Sequence, residues 1–296
     1  MTDDEAAELL SGSDTYRVLR RLDAALVQTG TSAGIPRRAV FLDTETTGTD
    51  VTRDEVIELS MMAFDYDAET GVITAVHEAD AFDELRDPGK PIPPEASRVN
   101  NITDDMVAGK TIAEADVEAF LDGVDLVIAH SASFDRPMAE KTWPVFRNLN
   151  WACSIEDVAW KERGFGSNSL EYLLMKQGLF YEGHRAKIDC LAGIALMAAA
   201  LPDGQPALSV LLESARKTRA LIRAVNSPFE TKDVLKARGY RWDNAGRVWW
   251  TVTEELEAEQ DWLKDTVYDG RLPNLPVVRI TAKDRFRPLT ESGNGF

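Results

Sequence analysis

Cysteine is nearly missing from this 296-residue chain, which has only Cys153 and Cys190. Two such residues exclude a disulfide framework, and their spacing matches no cysteine metal motif. No apolar run approaches the ~20 residues of a membrane span, so no membrane partner is expected. The opening MTDDEAAELL is acidic and lacks the basic region and apolar core of a secretory signal. These absences lead to the expectation of a soluble, cytoplasmic protein in a reducing compartment. Basic charge is also short, with 33 Lys+Arg against 50 Asp+Glu and a net charge of −17. A surface of that sign does not wrap duplex DNA through phosphate neutralisation alone.

The deficit is uneven. Residues 1–215 hold 18 basic against 38 acidic side chains, a balance of −20, whereas residues 216–296 hold 15 against 12, a balance of +3. Two regions with different roles are implied. At 44% hydrophobic residues, the chain can support one good core and a second small one. Residues 1–36 read as an extension with one amphipathic helix, since Leu19, Leu22 and Leu26 recur at helical spacing, followed by the small-residue linker TGTSAGIP. Residues 37–203 read as the main domain. Residues 204–296 read as a helix through LSVLLESARKTRALIRAV leading into a small α+β accessory domain.

Within the main domain, AVFLDTE, VIELSMMAFDYD and ITAVHEADAF read as three strands, with DLVIAH as a buried fourth. TIAEADVEAFLDG, FDRPMAEKTWPVF, SNSLEYLLMKQG and KIDCLAGIALMAAAL read as helices, the last apolar nearly all round and hence deeply buried. Three meandering strands followed by alternating strands and helices make an α/β fold, a mixed sheet flanked by helices.

The chemistry concentrates where apolar runs stop at acids. AVFL ends in Asp43 and Glu45, which share one side of the strand end because side chains repeat every second residue. DLVIAHSASFD delivers Asp135 at a helix start, and HRAKIDC places Asp189 on the front of the buried helix, with His184 five residues before it. An acid in an apolar helix costs several kcal/mol unless it is compensated. Four converging carboxylates are best compensated by divalent cations, and all-oxygen ligation suits Mg²⁺ or Mn²⁺ rather than zinc.

In this order, DTETTG, HSASFD and HRAKID resemble the three motifs of the DEDDh 3′–5′ exonucleases, a family that includes the proofreading epsilon subunit of bacterial DNA polymerase III. IPPEASRVNNITDDMV resembles the segment linking that family's third strand to its next helix. The resemblance covers about residues 37–200. It implies a ribonuclease-H-like fold, Asp43, Glu45, Asp135 and Asp189 as ligands of two divalent cations, and His184 as general base. Thr46, Thr47 and Gly48 would border the terminal nucleotide. Ser131 departs from the Asn that commonly follows the second-motif histidine. The implied activity is removal of nucleotides from DNA 3′ ends in proofreading-like or repair processing. A 3′–5′ exoribonuclease and a non-catalytic 3′-end binding module are the alternatives. The implied partner is a nucleic acid 3′ end, with single-stranded DNA favoured over RNA.

Two further segments carry expectations. QPALSVL faintly resembles a sliding-clamp-binding peptide and makes a clamp or polymerase a candidate partner. The competing reading is a helix start, with Leu208, Leu211, Leu212 and Ala215 on one face. ARGYRWDNAGRVWW interleaves aromatics with arginines, a composition suited to stacking on unpaired bases. Alternation puts Val248, Trp250 and Val252 on one face of a hairpin strand. Trp250 is therefore expected in the core, and Trp249, with Arg238, Arg241 or Arg247, is the nucleic-acid candidate.

Overall fold

The apolar run before Asp43 becomes the middle of a long strand, β1 (Pro36–Thr46), in which Ala39, Val40, Phe41 and Leu42 are fully buried. Such a run needs cover on both faces of the sheet. In the computed structural model, which describes all residues except 28, 33, 184 and 288–296, the cover comes from helices. β2 (Val56–Asp67) pairs antiparallel with β1. β3 (Ile73–Val76) and β4 (Phe82–Leu85) pair antiparallel with opposite ends of β2. On the other side of β1, β5 (Leu126–Ala129) runs parallel to it, and β6 (Trp151–Cys153) runs parallel to β5. The order is β3–β2–β1–β5–β6, the mixed sheet expected from the sequence.

β5 leads through His130 and Ser131 into α1 (Ala132–Thr142). After α2 (Leu170–Lys176), the most apolar helix, α3 (Ala186–Ala198), lies across β1 and β2. Its closest approach is at Gly193, where an added Cβ would collide with the Phe41 ring. Only glycine lets the helix backbone sit that near the sheet.

The chain divides into two units, Met1–Ser214 and Ala215–Phe296. In the second, β7 (Arg219–Ala224), β8 (Arg241–Asp243), β9 (Val248–Thr253) and β10 (Val277–Ile280) form an antiparallel sheet of order β8–β9–β7–β10. Ile222, Ala224, Leu235, Tyr240, Leu263, Val267 and Leu275 are its core.

Four expectations are corrected. The leucine-spaced stretch near residue 20 is not a helix. Arg20–Arg21 pairs parallel with Leu179–Phe180, and the N–H groups of Arg20 and Leu22 donate to the carbonyls of Gly178 and Phe180, both at 2.8 Å. The helix of this extension is Asp3–Ser11, closed by a capping box from Thr2. ITAVHEADAF is two strands, because the chain steps along β2 through a 3₁₀ turn at Glu78–Asp80. The helix expected through residue 225 ends at Arg216, and β7 follows, since Ile222 and Ala224 are needed at the centre of a sheet.

The fourth concerns the hairpin tryptophans. Trp249 lies opposite Ala224 and packs against the core, while Trp250 lies opposite Arg223 on the other face. Alternation fixes which residues share a face but not which face is buried. The helix-start reading of QPALSVL describes the observed Ala207–Arg216, in which Leu208, Leu211 and Leu212 are buried. Those side chains are not available to a partner's groove.

Candidate active site

Phe41, Asp43 and Glu45 share one face of β1. Because Gly193 rests on Phe41, Asp189, one helical turn earlier on α3, is carried over the two acids. One carboxylate oxygen from each of Asp43, Glu45 and Asp189 lies within 4.8 Å of the others. Tyr181 Oη donates to Asp189 Oδ1 at 3.0 Å, and the Arg185 N–H donates to Oδ2 at 3.1 Å.

Asp135 approaches from α1 and is buried, with Oδ1 accepting from Thr44 Oγ1 at 2.9 Å. Thr44 points to the face of β1 opposite to Asp43 and Glu45. The Asp135 charge nevertheless acts on Asp43 more strongly than that of Asp189, so Asp135 stands beside Asp43 at the strand end. His184 lies outside the described residues.

The electrostatics are those of crowded acids with little water around them. Asp43 is pushed well above the usual carboxylate range, first by burial and then by the charges of Asp135, Asp189, Glu45 and Glu58. Burial, then Asp189 and Glu58, push Glu45 up to about 8. Asp135 rises to about 7, chiefly through burial. Like charges that close resist joint ionisation unless positive charge is supplied. With donors that are all carboxylate oxygens, the group fits a hard divalent cation such as Mg²⁺ or Mn²⁺.

Glu58 is a fifth acid that sequence reading missed. It lies opposite Glu45 across the β1–β2 ladder and is 2% exposed. Its carboxylate accepts from Arg185 Nη2 at 3.0 Å and from the N–H of Ala186 at 3.1 Å. Glu58 thereby fastens the first turn of α3, and with it Asp189, to the strand beside the other two acids. The only signal in the sequence was an acid inside VIELS, and its meaning depends on the strand register.

The remaining candidates hold the loop after β1. Thr46 Oγ1 donates to the Gly48 carbonyl at 2.6 Å. Thr47 Oγ1 donates to Asp54 Oδ1 at 2.9 Å and accepts from the Glu55 N–H at 3.0 Å. His130 secures the turn after β5. Its Nε2 lies 2.7 Å from the Asn168 carbonyl, which can only accept, so that nitrogen carries the proton; Nδ1 then accepts from Ser154 Oγ at 2.6 Å. Burial pushes the imidazole down to about 4 and keeps it neutral.

A family model described as RNase_T: Exonuclease matches residues 40–197, inside the first unit. The chain is 40% identical over 157 residues to DNA polymerase III subunit epsilon of Treponema pallidum, which spans 50% of this chain and 68% of that protein. Over 100 residues it is 35% identical to the PolC-type DNA polymerase III of Lacticaseibacillus paracasei, 32% of this chain and 6% of that protein. Among solved structures, exonuclease X in complex with 5′-overhanging duplex DNA is similar at 24% identity. That likeness covers 58% of this chain and 99% of the other, with a TM-score of 0.41.

Proposed function

This chain belongs to the RNase_T exonuclease family, and from that premise we propose that it is a divalent-metal-dependent 3′–5′ exonuclease that shortens DNA 3′ ends. The observation that carries the proposal is the convergence of Asp43, Glu45 and Asp189 oxygens within 4.8 Å at the end of a buried strand. Crowding of that kind is unfavourable for a purely structural cluster and favourable for one that binds cations.

In this reading Asp43, Glu45 and Asp189 hold two divalent cations, with Asp135 as the fourth acid. When bound, such ions lower the pKa of an attacking water and support charge on the leaving 3′ oxygen. His184, five residues before Asp189, takes the proton of the water as general base, a role suited to an imidazole near neutral pH. The Tyr181 hydroxyl and Arg185 N–H orient Asp189, and Glu58 anchors the helix start that carries it. The loop held by Thr46 and Thr47 borders the terminal nucleotide. The Treponema pallidum relative is a polymerase subunit. By that analogy the role proposed here is proofreading or repair trimming in the cytoplasm, in association with a polymerase.

The test is incubation of the full chain with 5′-labelled single-stranded DNA and RNA in Mg²⁺, Mn²⁺ or EDTA. A ladder shortening from the 3′ end of DNA, present with either metal and lost in EDTA, is expected. Faster shortening of RNA would transfer the proposal to an exoribonuclease, and no shortening with any metal would refute it.

A further inference from the structure

The second unit carries a row of side chains for which nuclease chemistry has no use. Across the sheet, Arg241 of β8 lies opposite Trp250 of β9, and Trp250 lies opposite Arg223 of β7. Directly opposed residues in antiparallel strands share a face, so Trp250 lies between Arg241 and Arg223 in one cross-strand row. The Arg241 guanidinium carbon is 5.6 Å from the Trp250 ring centroid. Trp249, by contrast, faces the core on the other side.

Part of this face is accessible. Arg241 is exposed, Trp250 and Arg223 are half-buried, and the neighbouring Val252 is 40% exposed. On the same face Val248, two residues before Trp250, Leu221, directly opposite Val252, and Ile280 are buried, so the accessible part is the Arg241–Trp250–Arg223 row and Val252. The nearby acids are committed elsewhere. Glu254 pairs with Lys217 and Arg219, Glu259 pairs with Arg238, and Asp243 accepts from the turn N–H groups of Ala245 and Gly246. Among the described residues, no ion pair engages Arg223 or Arg241.

We propose that this face binds an unpaired DNA strand, with a base stacked on Trp250 and flanking phosphates on Arg223 and Arg241. An indole offers a sequence-tolerant stacking surface, and guanidinium groups bind phosphate in a fork. Charge complementarity favours this occupant, since residues 216–296 carry +3 in a chain whose remainder carries −20. A protein-docking patch would instead present contiguous apolar area. The inference rests on the nuclease reading only for the supply of a strand. Being tethered to the first unit, such a surface raises the local concentration of substrate without entering the chemical step.

The test is fluorescence anisotropy of a labelled oligothymidylate of roughly twenty nucleotides with the full chain in EDTA, over a salt series. Trp250→Ala is expected to raise Kd at least about five-fold. The double variant Arg223→Gln/Arg241→Gln is expected to reduce the slope of log K against log salt by roughly 1.4, two phosphates at about 0.7 each. The double variant alters half-buried and exposed side chains and keeps the test informative if Trp250→Ala fails to fold. Metal-dependent hydrolysis of a trinucleotide should be unchanged in both. Unchanged Kd and slope in the double variant, or no binding by the wild type at low salt, would overturn the proposal. DNA binding weakened by the variants without nucleotide release under any metal would sink the nuclease reading and leave this surface standing.

Discussion

His130 offers a quantitative test of how the second motif is held. Its ring is buried, donates to the Asn168 carbonyl and accepts from Ser154, and its folded pKa is about 4 against an ordinary 6.5. Above pH 6.5 both the folded and the unfolded chains carry the neutral ring, and its stabilising contacts are fully present. As pH falls from 6.5 to about 4, the unfolded chain takes up a proton that the folded chain refuses, so stability is lost across that window. A separation of about 2.5 pH units at ~1.4 kcal/mol each corresponds to about 3–4 kcal/mol, of which about 3 is lost by pH 4. The carboxylates of the active site titrate in the same range with the opposite sign, so the wild type alone does not isolate the ring. The comparison is urea unfolding of the wild type and His130→Gln at pH values from 7.5 to 4. The stability advantage of the wild type over the variant should shrink by about 3 kcal/mol as pH falls. A difference that stays constant, or grows on acidification, would refute the assignment of a buried neutral imidazole.

Other consequences are equally direct. Asp43→Asn and Asp189→Ala should reduce exonuclease activity in Mn²⁺ to the level seen in EDTA while leaving the circular dichroism spectrum unchanged; substantial residual turnover would remove these acids from the ligand set. Because Glu45 sits at about 8 and Asp135 at about 7, their ionisation disfavours the metal-free fold as pH rises from about 4.5 to 8. Added Mn²⁺ should therefore raise the melting temperature more at pH 8 than at pH 6. Glu58→Ala releases the start of α3 and should weaken Mn²⁺ binding roughly 10–100-fold by calorimetry, and unaltered affinity would reduce Glu58 to a packing role. Gly193→Ala drives a methyl into the Phe41 ring and should cost about 1–3 kcal/mol in denaturant unfolding.

The corrected elements share a cause. Leu19, Leu22 and Leu26 have helical spacing, yet the N–H groups nearby donate to Gly178 and Phe180, over 150 residues away in sequence. Residues 219–224 continue a helical pattern, yet they become the centre of a four-stranded sheet. At Trp249 and Trp250, alternation is visible in sequence, but the burying side depends on where the helices of the unit pack. Local propensity is a weak prior that long-range pairing overrides.

The sequence by itself determined that an apolar strand ends at Asp43 and Glu45, that Asp135 and Asp189 follow at helix starts, and that the sheet is mixed and flanked by helices. These features survive because period-two strands, apolar helices and motif order are local properties of the chain. Only the tertiary structure decided that oxygens of Asp43, Glu45 and Asp189 meet within 4.8 Å, and that buried Asp135, held by Thr44, acts as the first charged neighbour of Asp43. It also decided that Glu58 anchors α3, and that Trp250 rather than Trp249 stands between two arginines. Each of those outcomes depends on strand register and on which face another element covers, and neither is encoded in the spacing of residues along one segment.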